Sequence, residues 1–234
     1  MKNNISDNLA LTVAKSGAIE LPAEILEFSI DQVLDNGLLK DIPFVGWIVK
    51  GISAGVSISD RILYHKILRF LFSLESTENA DRNNFREKVD SDLKYRRKVG
   101  EHLVIMLNQI DSFEKANLLA MVFDHCLTGD IEHEKFIDLA HVVDRSLLSD
   151  LKSISVPDNK RIIFSSTSLA ASSGILEYGI VESKSGDEGP EIGTRLSELG
   201  KDLRDMFLKR YRTREVDENK RREKVRNRFA DKNT

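Results

Sequence analysis

A chain of 234 residues, 41% apolar and 31% charged, has room for one large domain or two small ones, and it is neither disordered nor polytopic. Its single cysteine, Cys126, excludes an intramolecular disulfide and fits a reducing, cytoplasmic setting. The net charge of −3 is uneven: eleven Lys or Arg against five acids make residues 209–234 +6 and leave −9 on the rest, a pattern suited to an acidic partner such as nucleic acid or a lipid surface.

The opening residues, "MKNNISDNLALTVAKSG", contain no unbroken apolar core of signal-peptide length, so no secretion signal is expected. "LPAEILEFSIDQVLDNG" reads as a helix, with Pro22 in its first turn and Asn36-Gly37 as its stop. The least polar stretch follows, "DIPFVGWIVKGISAGVSISDR", and three readings compete for it. As a membrane span, Ile42 to Ile58 would reach about 25 Å, short of a hydrocarbon core of about 30 Å. Lys50 would also sit near its centre, at a cost of about 3 kcal/mol. As a nucleophile turn, Gly51-Ile52-Ser53-Ala54-Gly55 matches G-x-S-x-G, but no alternating strands and helices follow to build a hydrolase sheet. As a buried helix pair, Gly51 and Gly55 share one face and admit a close neighbour. The buried reading is preferred.

"RILYHKILRFLFSLE" predicts a helix with Ile62, Leu63, Ile67, Phe70 and Leu71 inward and Lys66 and Arg69 on a wetter side. That side supports an alternative, interfacial contact of segment 38–75 with a membrane or partner through Phe44, Trp47, Ile48, Lys66 and Arg69. "FREKVDSDLKYRRKVGEHLVIMLNQI" predicts one or two helices with a stripe of Val99, Leu103, Met106 and Ile110. Asp111 and Glu114 suggest a capping box opening a helix through Phe113, Ala116, Ala120, Phe123 and Leu127, stopped at Thr128-Gly129. One helix or a broken pair then runs to Pro157.

"FDHCLTGDIEHEKF" has the outline of a calcium loop, but Cys126 stands at the third position and Lys135 at the twelfth, where the ion needs a bidentate glutamate. His125, Cys126, His133 and His141 lie near one another in sequence without zinc-ligand spacing, and they read as satisfied core or surface residues. Cys126 beside Val122 and Leu119 reads as a small packed hydrophobe. No phosphate-cradling glycine loop is present. No metal, cofactor or catalytic group is expected, and the chain reads as non-enzymatic.

After Pro157 a short helix runs into "GIVES", a glycine-rich turn, "EIGTRLS", and an amphipathic helix through Leu199, Leu203, Met206 and Phe207. That order, with "TRLSELGKDL", resembles the end of a winged helix. The expected fold is mainly α: a helical domain over 1–155 with an apolar helix pair at 38–75, a winged-helix-like unit over 156–210, and a basic helical tail over 211–234.

D-I-P-F-V-G at 41, S-I-S-D-R at 57, K-I-L-R-F-L at 66, K-V-G-E at 98, F-E-K-A-N-L-L at 113 and G-D-I at 129 with Phe136 downstream resemble a group of uncharacterised bacterial helical proteins, over roughly residues 38–150. The layout is also similar to that of abortive-infection-type proteins. The resemblance implies a bacterial or phage origin, a stable helical module and a phage-defence setting. The expected role is an interaction protein whose partner is nucleic acid, another protein, a membrane surface or a second copy. Its expected contacts are Lys184, Arg195 and Lys201 of the winged unit and Lys209, Arg210, Arg212, Arg214, Lys220, Arg221 and Arg222 of the tail. Its expected place is the cytoplasm, with the periphery of the inner membrane as the alternative.

Overall fold

The computed structural model describes residues 2–15, 57–74, 80–155, 164–181 and 191–210. The readings of 21–37, of the apolar stretch 41–56, of the turn 182–190 and of the tail 211–234 lie outside them. The described chain is mainly helical with one small antiparallel sheet, and it divides into two compact units, Met1–Arg145 and Ser146–Thr234. Among the described residues no helix is long and apolar enough to cross a membrane.

The first unit holds α1 (Lys2–Lys15), α2 (Ile58–Ser73), α3 (Ala80–Ser91), α4 (Leu93–Gln109), α5 (Phe113–Leu127) and α6 (His133–Arg145). In α1, Leu9, Ala10, Val13 and Ala14 are buried, and the helix packs on α4 and α3. The contact with α4 is closest at Gly100, where a Cβ would lie 2.0 Å from the Ser6 carbonyl oxygen. Within the opening stretch, Lys2–Lys15 is thus a packed helix.

Side-chain caps start these helices. Ser57 accepts from the Asp60 amide, and Asp92 accepts from the Lys94 and Tyr95 amides, each satisfying donors that a first turn leaves open. The start of α5 differs from the expected capping box: Ser112 is the cap, accepting from the Lys115 amide at 3.2 Å. Asp111 instead accepts from the Lys115 amine at 3.1 Å. The stripes of α4 and α5 are buried as expected, except that Phe113 is exposed at the mouth of its helix. Phe123 of α5 is the hub of the core, with ring centroids 5.7 Å from Phe70 of α2, 5.9 Å from Phe85 of α3 and 4.8 Å from Phe136 of α6.

Two buried lysines close helix ends from within. Lys66, expected on a wet face, is only 7% exposed, and its amine donates to the carbonyls of Asn108 and Ile110 at the end of α4. Lys115, 1% exposed, donates to the Asp144 carbonyl at 2.8 Å, near the end of α6. Cations here meet open carbonyls and the negative pole of a helix. Burial pushes the Lys66 amine below its usual range, partly opposed by Asp111 and Asp144. Replacing Lys115 by Met keeps most of the stem but removes the donor. The variant is expected to lose about 1–3 kcal/mol in urea denaturation; an unchanged midpoint would show that the cap contributes nothing.

The α5–α6 joint explains the calcium-loop outline. Gly129 has φ 75°, which favours glycine, and its amide donates to the Cys126 carbonyl. His125 Nδ1 lies 2.7 Å from Asp130 Oδ2, so the acid nearest the turn is engaged by an imidazole. Among the described residues no group of three or more potential ligands is placed to hold a metal ion.

The second unit holds α7 (Leu148–Ile154), α8 (Thr167–Ser173), β1 (Leu176–Val181), β2 (Glu191–Leu196) and α9, residues 198–210. The strands pair antiparallel from Leu176 opposite Leu196 to Val181 opposite Glu191. One face therefore carries Leu176, Tyr178 and Ile180 with Ile192, Thr194 and Leu196. Leu176 is buried at its base, whereas Tyr178, Ile180 and Ile192 are exposed towards its tip. Ser197 ties the base to α9: its hydroxyl accepts from the Gly200 amide, and its own amide donates to the Ile175 carbonyl. Leu203, Met206 and Phe207 form the buried side of α9.

Candidate functional site

A cluster of interacting charged and titratable groups is built on α4, where α3 and α6 pack against it. Its outer face is basic because "LKYRRK" opens the helix. Leu93, Lys94, Arg97, Lys98 and Glu101 line an open cleft of about 500 Å³. Lys98 donates to Glu134 of α6 at 2.7 Å across the surface, which holds the Glu134 carboxyl below its usual range. Both side chains are well exposed, so the bridge contributes little to stability. Lys88 of α3 sits 4.4 Å from the centroid of the Tyr95 ring, a cation–π contact that keeps its charge beside the same corner.

Behind this surface two imidazoles meet. His102 of α4 and His133, the first residue of α6, bring Nδ1 and Nε2 to 2.9 Å. Their planes are parallel within 3° and their centroids are 5.2 Å apart. Parallel rings cannot place two atoms closer than the planes themselves. A 2.9 Å contact therefore excludes face-to-face stacking and puts the rings edge to edge, in one hydrogen-bonded line. His133 is 3% exposed, and its other nitrogen, Nδ1, is buried with no hydrogen-bond partner.

That orphan atom assigns the tautomers. A buried N–H without an acceptor is the rarer and costlier defect, whereas a bare nitrogen leaves only a lone pair unused. His133 therefore donates from Nε2 to His102 Nδ1, and its own Nδ1 carries no hydrogen. Burial pushes the His133 imidazole down to about 4, helped by its His102 neighbour. His102 is lowered too, again chiefly by burial.

Tyr95 touches this pair at 6.2 Å between centroids, and burial raises its phenol. Cys126 is pushed up to about 12, first by burial and then by Glu132 and Glu134. It is a protonated thiol at neutral pH and a poor nucleophile. The corner is charged outside and neutral inside.

The residues expected to make functional contacts are only partly brought together. Phe44, Trp47, Ile48, Lys184, Arg212, Arg214, Lys220, Arg221 and Arg222 lie outside the described residues. Lys201 and Lys209 are exposed on α9. Arg195 is exposed, but its Nε donates to Glu177 on the opposite strand at 2.7 Å. Arg210, at the end of α9, is 9% exposed. Lys66 is buried with its amine at the end of α4, and Arg69 is half-buried. Sequence reasoning missed the histidine pair, whose members are 31 residues apart with no local signal. It also passed over Lys94, Arg97 and Lys98, although "KYRRK" announces them.

Comparison of the chain with models of protein families, with curated proteins and with solved structures finds no match.

Proposed function

We propose that the protein is a non-enzymatic interaction protein of bacterial or phage origin that contacts nucleic acid through its C-terminal part, in a phage-defence setting. The observation that carries this reading is the order α8, β1, β2, α9, with its antiparallel hairpin, leading directly into the basic residues 209–234. Helix, two-stranded wing and helix is a winged-helix-like order, and the basic segment supplies phosphate contacts. The resemblance of residues 38–150 to helical proteins of bacteria supports the origin and a cytoplasmic location.

The charges of the second unit apportion the work. On α9 the exposed Lys201 and Lys209 share the surface with Glu198 and Asp205, and Arg195 is held by Glu177. Such a balanced surface gives little net attraction, so the tail provides most of the affinity. Binding is then expected to be indifferent to sequence and steep in salt, each neutralised phosphate adding about −0.9 to the log–log slope on duplex DNA.

The test is a salt titration of duplex binding by the full chain and by a chain ending at Leu208. Loss of binding in the shorter chain supports the tail as the contact. Retained binding with an unchanged slope moves the contact to Lys201 and its neighbours. Absence of binding by the full chain at low salt overturns the reading in favour of a protein partner or a membrane. The membrane alternative has lost Lys66 from its contact set, because that amine is buried.

A further inference from the structure

The geometry points to a proton-operated latch between α4 and α6: the His102–His133 pair holds the helices together while neutral, and a single proton releases them. Two neutral imidazoles share four ring nitrogens and two hydrogens. One hydrogen lies between the rings, on the 2.9 Å line, and the other sits on His102 Nε2.

A third hydrogen can enter an intact pair in only one way. If it lands on His133, it occupies Nδ1. If it lands on His102 Nδ1, the hydrogen between the rings now belongs to His102, and His133 remains neutral only by carrying its own hydrogen on Nδ1. Either route leaves an N–H at a buried position that has no acceptor. Charge is thus admitted to the intact contact only at the cost of an unsatisfied donor, and separating the rings into water removes that cost.

The surrounding groups do not reverse this. Lys88 from α3 and Lys98 from α4 oppose a proton on His133, and Glu134 from α6 favours it. Around His102, Lys98 and His141 oppose, while Glu101 and Glu134 favour. Tyr95 from α4, Cys126 from α5 and Glu132 from the joint complete the surroundings; Tyr95 and Cys126 are uncharged at neutral and acidic pH. For both rings burial is the largest cause. The sign follows: a histidine lowered from 6.5 to about 4 stabilises the closed contact above pH 6.5, and that contribution is lost as pH falls towards 4. The Lys98–Glu134 bridge does not mask the change, since its lowered carboxyl stays ionised across the upper part of this window.

Cys126 is a built-in reporter. It is the sole cysteine, it is buried, and the charges of Glu132 and Glu134 at the start of α6 bear on it. Its electrostatic neighbours include Tyr95 of α4 and Glu134 of α6, so opening of the α4–α6 contact is expected to expose it. The experiment measures labelling of the native full chain by 4,4′-dithiodipyridine, which reacts with thiols in acid, relative to a free peptide thiol, from pH 7.5 to pH 5.

The latch predicts a relative rate about thirtyfold higher at pH 5, the ratio set by binding constants of 6.5 open and about 4 closed. His133→Gln, which cannot take up the proton, is expected to show no such rise. A flat profile in the native chain, or an equal rise in the variant, overturns the proposal. Should that variant not fold, nitrogen-15 spectra of histidine-labelled native protein decide. A His133 Nδ1 without a hydrogen at pH 7.5 supports the latch; a protonated Nδ1, or one titrating near 6.5, overturns it.

Discussion

Gly100→Ala is expected to destabilise the first unit by about 3 kcal/mol or more, the upper end of the range for forced overpacking. The reason is the identity of the obstructing atoms. A Cβ at Gly100 would lie 2.0 Å from the oxygen and 2.5 Å from the carbonyl carbon of Ser6. These are backbone atoms of α1, and no side chain can turn aside to make room. Moving α1 outward would lift Leu9, Ala10 and Val13 from the core. The sign makes the test decisive, because the same exchange in an open helix adds about 1 kcal/mol of stability through propensity. Chemical denaturation of the variant would refute the close approach if its midpoint rose.

Phe123→Ala is expected to cost about 3–5 kcal/mol, the usual range for emptying an aromatic site in a core. Its ring meets Phe85 and Phe136 edge-on, at 88° and 74°, and lies tilted at 54° to Phe70. Those three rings come from three different helices, so the cavity would open at their common junction. A domain of ordinary stability, about 5–15 kcal/mol, would lose a large part of its margin. Phe123→Leu keeps most of the volume and is expected to lose far less. Equal losses for the two variants, by calorimetry or urea titration, would mean that Phe123 is not the hub.

These residues show what periodicity reveals. The stripe Val99, Leu103, Met106 and Ile110 is legible because each member faces one core at helical spacing, and all four are buried. In α2 the same rule places Ile67, Phe70 and Leu71 inside but misjudges Lys66 and Ile62. Ile62 is 43% exposed and Lys66 is buried, because the lysine serves carbonyls 42 and 44 residues away that no local window contains. The pair Asp111–Glu114 has the right spacing for a cap, but Ser112 takes the role. Spacing alone does not reveal that Asp111 turns towards the Lys115 amine. The histidine pair was illegible for the same reason as Lys66: its meaning lies in a contact between two helices and in an atom left without a partner. The basic face of α4 was open to reading and was passed over beside the larger charge excess of the C-terminal segment.

The seat of α1 on α4 has a consequence for the order of biosynthesis. Ser6 is made before its counterpart Gly100, which follows almost a hundred residues later. At synthesis rates of about 5–20 residues per second, that interval lasts about 5–20 s, longer still once the exit tunnel is counted. For most of it, until α3 is made, Leu9, Ala10 and Val13 lack both helices on which α1 packs, and α1 alone is too short to be a stable helix in water. The N-terminal unit therefore closes late and around its own beginning, instead of growing outward from it. A nascent chain stalled before residue 80 should expose those side chains to chaperones, and a chain stalled far enough beyond residue 145 for the unit to clear the tunnel should not.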